Sequence, residues 1–217
     1  FVQLVIDGLS TGSIYAALAL AIVLVNQATG LINFAQGGMA VLSAYFAYQF
    51  LQWGLPLILA ILASIVVSFF MGALIERYVM RRFEQGDPDT AIVVTVVMLT
   101  LITGLWTGIW SYTNFQWPAM FSLATVPVFG ASVSIRSIGT TLVIIAIMIL
   151  IQVLFVGTKL GLALRAVSIN PQSAAYSGLP VGRLLMVGWG LAAILGAVAG
   201  ALIAPQLTLT PGMMDGI

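Results

Sequence analysis

The chain has 217 residues, of which 61% are hydrophobic and only 6% are charged, whereas a typical soluble domain has about 25% charged residues. Its mean hydropathy of +1.16 and net charge of +1 indicate a membrane protein and give no electrostatic argument for nucleic-acid binding. The absence of cysteine and histidine excludes Cys or His nucleophiles, His-ligated metal or haem, and disulfides. The GxxxxGK[ST] motif of an ATP-binding loop is also absent from the sequence.

The first apolar run extends over residues 8–75 without a charged residue. A crossing helix needs about 20 apolar residues to span about 30 Å of hydrocarbon, so this run is long enough for three crossings. Three further runs follow at residues 91–110, 137–157 and 184–204. None of the runs shows the alternating pattern of a barrel strand. We therefore predict an all-α, polytopic membrane helical bundle with about six membrane-crossing segments, one of them a broken helix.

The region after the first crossing interrupts the apolar pattern. The segment GLINFAQGG, residues 30–38, has glycines at both ends and the amides Asn33 and Gln36 between them. In membranes such interruptions occur where the backbone is buried in protein or lines a water-filled cavity, and in transporters they often mark the substrate route. The two amides therefore either line a translocation path or hold neighbouring helices together by hydrogen bonds of about 1 kcal/mol each. The residues alone favour neither interpretation.

The few cations orient the chain. Six of the seven lie in residues 76–90 and 158–183, whereas residues 111–136 carry only Arg136. The positive-inside rule places the first two segments on the cytoplasmic side and residues 111–136 outside, together with the start of the chain. The charges of residues 76–90 are typical of a solvated face, with docking as the alternative. The outer segment is rich in aromatic residues, which are typical of an interfacial belt or of a surface for an external partner. These aromatic residues are Trp110, Tyr112, Phe115 and Trp117.

Residues 161–183, GLALRAVSINPQSAAYSGLPVGR, are a polar island between two apolar runs, and we call them the polar loop. Asn170 and Pro171 are a favourable N-cap and N1 pair, and Gly178 can adopt the left-handed conformation that ends a helix. The pattern predicts a two-turn cytoplasmic helix that is too short and too polar to cross, with Ala174 available for a groove. Capping chemistry does not distinguish a docking element from a simple connection between two crossings.

Small residues recur every four positions in the last crossing, which predicts a buried helix that packs closely against its neighbours. A shorter stripe containing Gly8 and Gly12 predicts the same kind of packing for the first crossing. The stripe in the last crossing consists of Gly188, Ala192, Gly196, Gly200 and Ala204.

Several motifs occur together in one order: GLINFAQGG with an aromatic-rich helix after it, Glu76 and Arg77 closing the third crossing, and the polar loop before the striped helix. In this order, over nearly the whole chain, they resemble the permease subunits of ABC importers for branched-chain amino acids. The resemblance implies the type II-like importer permease fold and alternating access for branched-chain or other small amino acids. Because related permeases carry other small solutes, a permease for urea or short amides is the alternative.

The resemblance also implies what surrounds the chain. The expected partners are a second permease subunit, homologous or identical, two ATP-binding cassette subunits, an extracytoplasmic solute-binding protein and membrane lipid. The chain itself is expected to be no enzyme and to hold no cofactor or metal, because ATP is bound and hydrolysed by the ATPase subunits. The expected location is the bacterial plasma (inner) membrane. Since family members continue beyond residues 211–212 with two more crossings, residues 1–217 are expected to form one transmembrane domain that lacks C-terminal crossings.

Individual residues take roles from the resemblance. In such permeases a Gly-x3-Arg-Ala-x3-(Asn/Asp) loop and its short helix seat in a cleft of the ATPase. Gln36 stands where the family's Asn-Phe-Ala-His-Gly segment has His, and Gln can donate and accept hydrogen bonds but does not titrate near neutral pH. The expected ATPase-coupling residues are Gly161, Arg165, Ala166, Asn170, Pro171, Ala174 and Gly178. The expected pathway residues are Asn33, Phe34, Gln36 and Gly37.

Two other classes of protein compete with this interpretation. A secondary transporter or channel normally places an ionisable residue at bilayer depth for ion coupling, and this sequence has none clearly inside a crossing. An intramembrane enzyme or a structural scaffold is the third class, and the lack of His and of a carboxylate pair within the crossings argues against the enzyme.

Overall fold

The computed structural model describes residues 2–83, 88–111, 113–118, 120–122, 124–128, 131–210 and 213. These residues form eight α-helices, a short 3-10 helix and a two-stranded antiparallel sheet. The α-helices are α1 (Val2–Thr29), α2 (Gln36–Gln52), α3 (Leu57–Tyr78), α4 (Pro88–Trp110), α5 (Ile135–Gly157), α6 (Lys159–Ile169), α7 (Pro171–Tyr176) and α8 (Val181–Leu207). The 3-10 helix is Met80–Arg82, and β1 (Thr125–Val128) pairs with β2 (Ala131–Ser134) so that Thr125 lies opposite Ser134.

Within the described residues, five helices are long and apolar enough to cross a membrane, namely α1, α3, α4, α5 and α8. Helix α2 has 17 residues and is therefore only about 26 Å long. The predicted polytopic helical bundle is confirmed, and the sixth predicted segment is this shorter helix. The β1–β2 hairpin, which the sequence analysis did not predict, lies between α4 and α5.

Helix α8 is the central helix of the bundle, and α1, α2 and α3 all pack on it. Its small residues permit the contact with α2, because a Cβ at Gly200 would lie 2.5 Å from the carbonyl oxygen of Ala40. Glycine serves the same purpose on α3, where a Cβ at Gly72 would lie 2.5 Å from the carbonyl oxygen of Trp189. The structure thus places the stripe of α8 at helix contacts. The buried members of that stripe are Gly188, Ala192, Gly196, Gly200 and Ala204.

The corresponding stripe of α1 behaves differently. Gly8 and Gly12 are exposed, and a Cβ at either position would meet no other atom within 4 Å. The packing predicted for these two glycines therefore does not occur within the described chain.

The helix contacts fix the relative directions of the helices. Helix α2 runs parallel to α8, since Gln36 lies beside Gly196 and Ala44 lies beside Gly200. Helix α3 runs in the opposite direction, because its C-terminal end meets the start of α8 through Arg81 and Gly182. Residues 76–83 and 158–183 therefore gather at one end of the bundle, which we call the cationic end. Arg136 lies at the opposite end, where its Nη1 donates a hydrogen bond of 3.3 Å to the carbonyl oxygen of Pro205.

Candidate functional site

The interruption between α1 and α2 lies inside the bundle. Gly30 follows the last residue of α1 with a φ of 75°, a left-handed conformation that favours glycine. The backbone N–H of Phe34 donates to Thr95 Oγ1 of α4 at 3.2 Å. Helix α2 then starts at Gln36, beside Ala192, which is about 17 Å along α8 from its first residue. This non-helical backbone is partly covered by protein, since Asn33 and Ala35 are buried whereas Ile32 and Phe34 are exposed.

Two amide side chains hold this segment against α8. Asn33 and Gln36 are 1% and 0% exposed. The Nε2 of Gln36 donates to the carbonyl oxygen of Ala192 at 2.9 Å, and its Oε1 accepts a hydrogen bond of 3.3 Å from Asn33 Nδ2. The Oδ1 of Asn33 accepts from the backbone N–H of Ala35 at 3.0 Å. The two amides therefore direct their hydrogen bonds to protein atoms, which is the geometry expected of a lock between helices.

The other two predicted pathway residues face away from this network. The side chain of Phe34 is 51% exposed, and Gly37 is half-buried. The structure thus brings Asn33 and Gln36 together and does not bring Phe34 or Gly37 into their hydrogen-bond network.

The polar loop contains two helices, whereas the sequence predicted one. Thr158 ends α5 and caps α6, because its Oγ1 accepts a hydrogen bond of 3.1 Å from the backbone N–H of Gly161. A Cβ at Gly161 would collide with the carbonyl oxygens of Leu154 and Phe155. Glycine at this position therefore permits the sharp turn that lays α6 against the end of α5. Signals for α6 were present in the sequence, since Thr158 is a favourable N-cap residue ahead of apolar residues at helical spacing.

The second helix of the polar loop has the predicted caps. The Oδ1 of Asn170 accepts from the backbone N–H of Ser173 at 2.9 Å, and Pro171 is the first residue of α7. Gly178 has a φ of 81°, and its N–H donates to the carbonyl oxygen of Ala175 at 2.9 Å. The predicted capped short helix is therefore confirmed.

Helices α6 and α7 enclose a groove of about 490 Å³ at the cationic end. Ala166, Asn170 and Ala174 line it, while Arg165 is exposed beside it. Large apolar side chains project outward around the groove, which is unusual for a surface in contact with water. These exposed side chains are Leu162, Ile169 and Tyr176. Of the remaining predicted coupling residues, Gly161 forms the turn into α6, and Pro171 and Gly178 form the two ends of α7.

An ion pair that the sequence analysis missed lies next to this loop. Glu76 is fully buried, and its carboxylate accepts two hydrogen bonds from Arg81, one from Nε at 2.9 Å and one from Nη2 at 2.7 Å. The Nη2 of Arg81 also donates to the carbonyl oxygen of Gly182 at 2.6 Å. The interpretation of residues 76–90 as a solvated face is therefore wrong for Glu76. The signal was a carboxylate at the end of an apolar run with an arginine five residues later. Glu84 and Asp87 lie outside the described residues.

Two of the outer aromatic residues, Trp110 and Phe115, pack onto α2. Trp110 donates from Nε1 to Gln49 Oε1 at 3.0 Å, and its ring lies 5.1 Å from that of Tyr45. The ring centroids of Phe115 and Tyr48 lie 4.6 Å apart. Trp117 is buried. Tyr112 lies outside the described residues.

Apolar crossing helices around a small-residue central helix, with an interrupted helix at mid-depth and a grooved helix pair at the cationic end, define a multi-pass membrane protein of the transporter class. The family described as branched-chain amino acid transport system, permease component, matches residues 4–215, and the chain belongs to it.

Curated relatives support this family. A probable branched-chain amino acid transport permease protein LivH of Methanocaldococcus jannaschii is 27% identical over 205 residues, covering 91% of this chain and 64% of the relative. The permease protein LivH of a high-affinity branched-chain amino acid transport system in Escherichia coli K12 is 23% identical, covering 94% of this chain and 70% of the relative. The corresponding protein BraD of Pseudomonas aeruginosa is 25% identical, covering 98% and 74%. The chain thus spans about two thirds of the length of the relatives it matches. No solved structure matches the chain significantly.

Proposed function

We propose that the chain is the membrane-spanning permease subunit of an ATP-driven importer for branched-chain or other small amino acids. The family match over residues 4–215 is the observation that carries this proposal. The relatives named above are described as branched-chain amino acid transport permeases, which supports the same substrate class here. The location that fits is the inner membrane of a bacterium, with the cationic end in the cytoplasm.

The polar loop is the part of the chain that we assign to the ATPase. Its groove has small and large apolar residues in its lining, and Leu162 and Ile169 among them are exposed, which suits a protein surface more than water. In this proposal α7 seats in a cleft of one of two ATP-binding cassette subunits, a second permease subunit completes the path, and an external binding protein delivers the solute. The chain needs neither a catalytic group nor a cofactor, because ATP is bound and hydrolysed on the partner subunits.

The substrate path is proposed to follow the interrupted segment. Phe34 is exposed and Gly37 is half-buried there, whereas the buried Asn33 and Gln36 keep the segment in place on α8. Tilting of α7 by ATP-driven closure of the ATPase subunits would change access to this segment from the two ends of the bundle.

Two glycines in the same backbone conformation allow a matched test. Gly178 has a φ of 81° at the end of α7, and Gly54 has a φ of 90° between α2 and α3 at the opposite end, and both have open space at the Cβ position. An alanine at either site meets a similar left-handed strain of about 1–2 kcal/mol. In proteoliposomes with the ATPase subunits, we expect Gly178→Ala to raise the ATP hydrolysed per leucine imported and Gly54→Ala to leave that ratio unchanged.

Arg165→Ala is a second variant of the polar loop, and Arg82→Ala, at an exposed position outside the polar loop, is its control for lost charge. We expect only the first to weaken co-purification with the ATPase subunit. Uptake that proceeds in vesicles without any ATPase, or that depends on a sodium or proton gradient, would refute the proposed function.

A further inference from the structure

The ion pair between the buried Glu76 and the partly exposed Arg81 at the cationic end joins parts of the chain that are far apart in sequence. Glu76 lies in the last turn of α3, and Arg81 lies in the 3-10 helix that follows it. Gly182, whose carbonyl oxygen accepts a hydrogen bond from the guanidinium, is the second residue of α8 and lies 101 positions beyond Arg81. The polar loop therefore ends against the side chain of Arg81.

The geometry of this contact is tightly defined. Two hydrogen bonds to the Glu76 carboxylate fix the plane of the guanidinium, which is the fork arrangement that arginine favours with carboxylates. A Cβ at Gly182 would lie only 3.0 Å from the guanidinium carbon of Arg81. A glycine is therefore needed at this position for the guanidinium to reach the backbone of α8 without displacement.

The position of the Arg81 guanidinium beside α8 also depends electrostatically on Glu76. The first turn of a helix carries a partial positive charge, so a cation beside the start of α8 is opposed by the helix dipole. The buried carboxylate of Glu76, at 2.7 Å from the Nη2 of Arg81, offsets that repulsion. The Arg81 side chain is 39% exposed, and the neighbouring Arg82 is exposed as well.

We propose that Arg81, oriented by Glu76, is a positioning residue that joins the end of the polar loop to α3, so that a displacement of α7 moves α3 and α8 as one body. The inference rests on the proposed function, because the displacement of α7 is attributed there to the ATPase. The close packing of α3 on α8 at Gly72 and Trp189 continues the connection into the bundle. In this arrangement Glu76 and Arg81 touch neither solute nor ATP.

A distance measurement tests the connection without any ATPase. The chain has no cysteine, so Gln172→Cys on α7 and Tyr78→Cys at the end of α3 place two spin labels at exposed positions. The background for comparison is the double variant Glu76→Gln with Arg81→Met, which removes the ion pair without leaving a buried unpaired charge. For the full chain in lipid nanodiscs, we expect a single narrow distance distribution in the parent and a clearly broader one in the double variant. The control Arg82→Met should keep the parent distribution.

A transport measurement tests the consequence. In the assembled transporter, we expect the double variant to raise the ATP hydrolysed per solute imported about tenfold, a size typical of coupling between sites. Arg81→Lys should give an intermediate ratio, since an ammonium is a point charge that lacks the fork needed for carboxylate and carbonyl together. The control Arg82→Met should keep the parent ratio. A purely structural ion pair would instead lower the amount of assembled protein and leave the ratio unchanged.

The outcomes separate the two proposals. An unchanged distance distribution, or an unchanged ratio in the assembled double variant, overturns the role of Arg81. A parent chain that imports without any ATPase refutes the proposed function, and the distance measurement still decides the connection. If the double variant does not fold, Gly182→Ala keeps the ion pair and moves only the guanidinium. For Gly182→Ala we expect the distance distribution to broaden less than we expect for the double variant. An unchanged distribution would overturn the inference.

Discussion

At the residue scale, the interrupted segment shows how a sequence can raise a question that only contacts answer. Asn33 and Gln36 were equally suited to line a path or to lock helices together. In the structure Gln36 donates to the carbonyl oxygen of Ala192, and Asn33 donates to Gln36. A glutamine here can make this contact at any pH, because its side chain does not titrate. The locking interpretation is therefore the better supported one for these two side chains.

Replacing Gln36 by leucine separates the two roles. We expect Gln36→Leu to lower the free energy of unfolding by about 1 kcal/mol, because one buried hydrogen bond between helices is lost. Denaturant unfolding followed by tryptophan fluorescence in detergent measures this change. Gln27→Leu, at an exposed position of α1, is the control and should not reduce stability. A Gln36→Leu protein with unchanged stability and abolished uptake would instead assign Gln36 to the solute path.

At the element scale, glycines decide how closely the helices approach and where they turn. Glycine recurrence in the last crossing was readable from the sequence, and it lies where α8 meets α2. The turn from α5 into α6 was not readable in the same way. A single glycine such as Gly161 forms no repeating pattern in the sequence. The requirement for glycine there follows only from the structure, in which the carbonyl oxygens of Leu154 and Phe155 occupy the space of a Cβ.

A pair of neighbouring glycines tests this turn. In Gly161→Ala the new methyl group would meet backbone atoms that cannot rotate away, so we expect a loss of about 1–3 kcal/mol of stability. At Gly157 the nearest atom to a Cβ is Val153 Cγ1 at 3.8 Å, an ordinary contact. Gly157→Ala should therefore be neutral or stabilising. Thermal unfolding of the two variants in the same detergent makes the comparison, and equal midpoints would contradict the proposed need for glycine.

At the scale of the whole molecule, charge and hydropathy define a bundle with two different ends. The cationic end carries the polar loop and the Glu76–Arg81 ion pair, and the opposite end carries the β1–β2 hairpin and Arg136. Because α8 runs through the centre and α1, α2 and α3 pack on it, a displacement of α8 at one end of the bundle also moves helices at the other end.

The orientation of these ends can be measured with single cysteines. We expect Gln172→Cys in α7 to react with a membrane-impermeant maleimide only from the cytoplasmic side, and Asn114→Cys, in the segment between α4 and β1, only from outside. Both positions are exposed, and the parent chain has no cysteine to add background. Right-side-out cells and inverted vesicles give the two comparisons. Labelling of Gln172→Cys in intact cells would show that α7 lies outside, and thus that the orientation is opposite to the one proposed.

The sequence by itself determined the features that depend on local pattern: apolar runs of crossing length, the interruption at residues 30–38, the caps of α7 and the end of the bundle at which cations gather. It also contained enough matching motifs to indicate the family. Only the tertiary structure decided which partners the polar groups have. Glu76 and Arg81 read as surface charges, because the hydrogen bond from Arg81 to the carbonyl oxygen of Gly182 spans 101 residues, and no local pattern reports such a contact. Likewise, equal glycine spacings gave close packing in α8 and an open face in α1, because packing depends on the neighbour as well as on the helix itself.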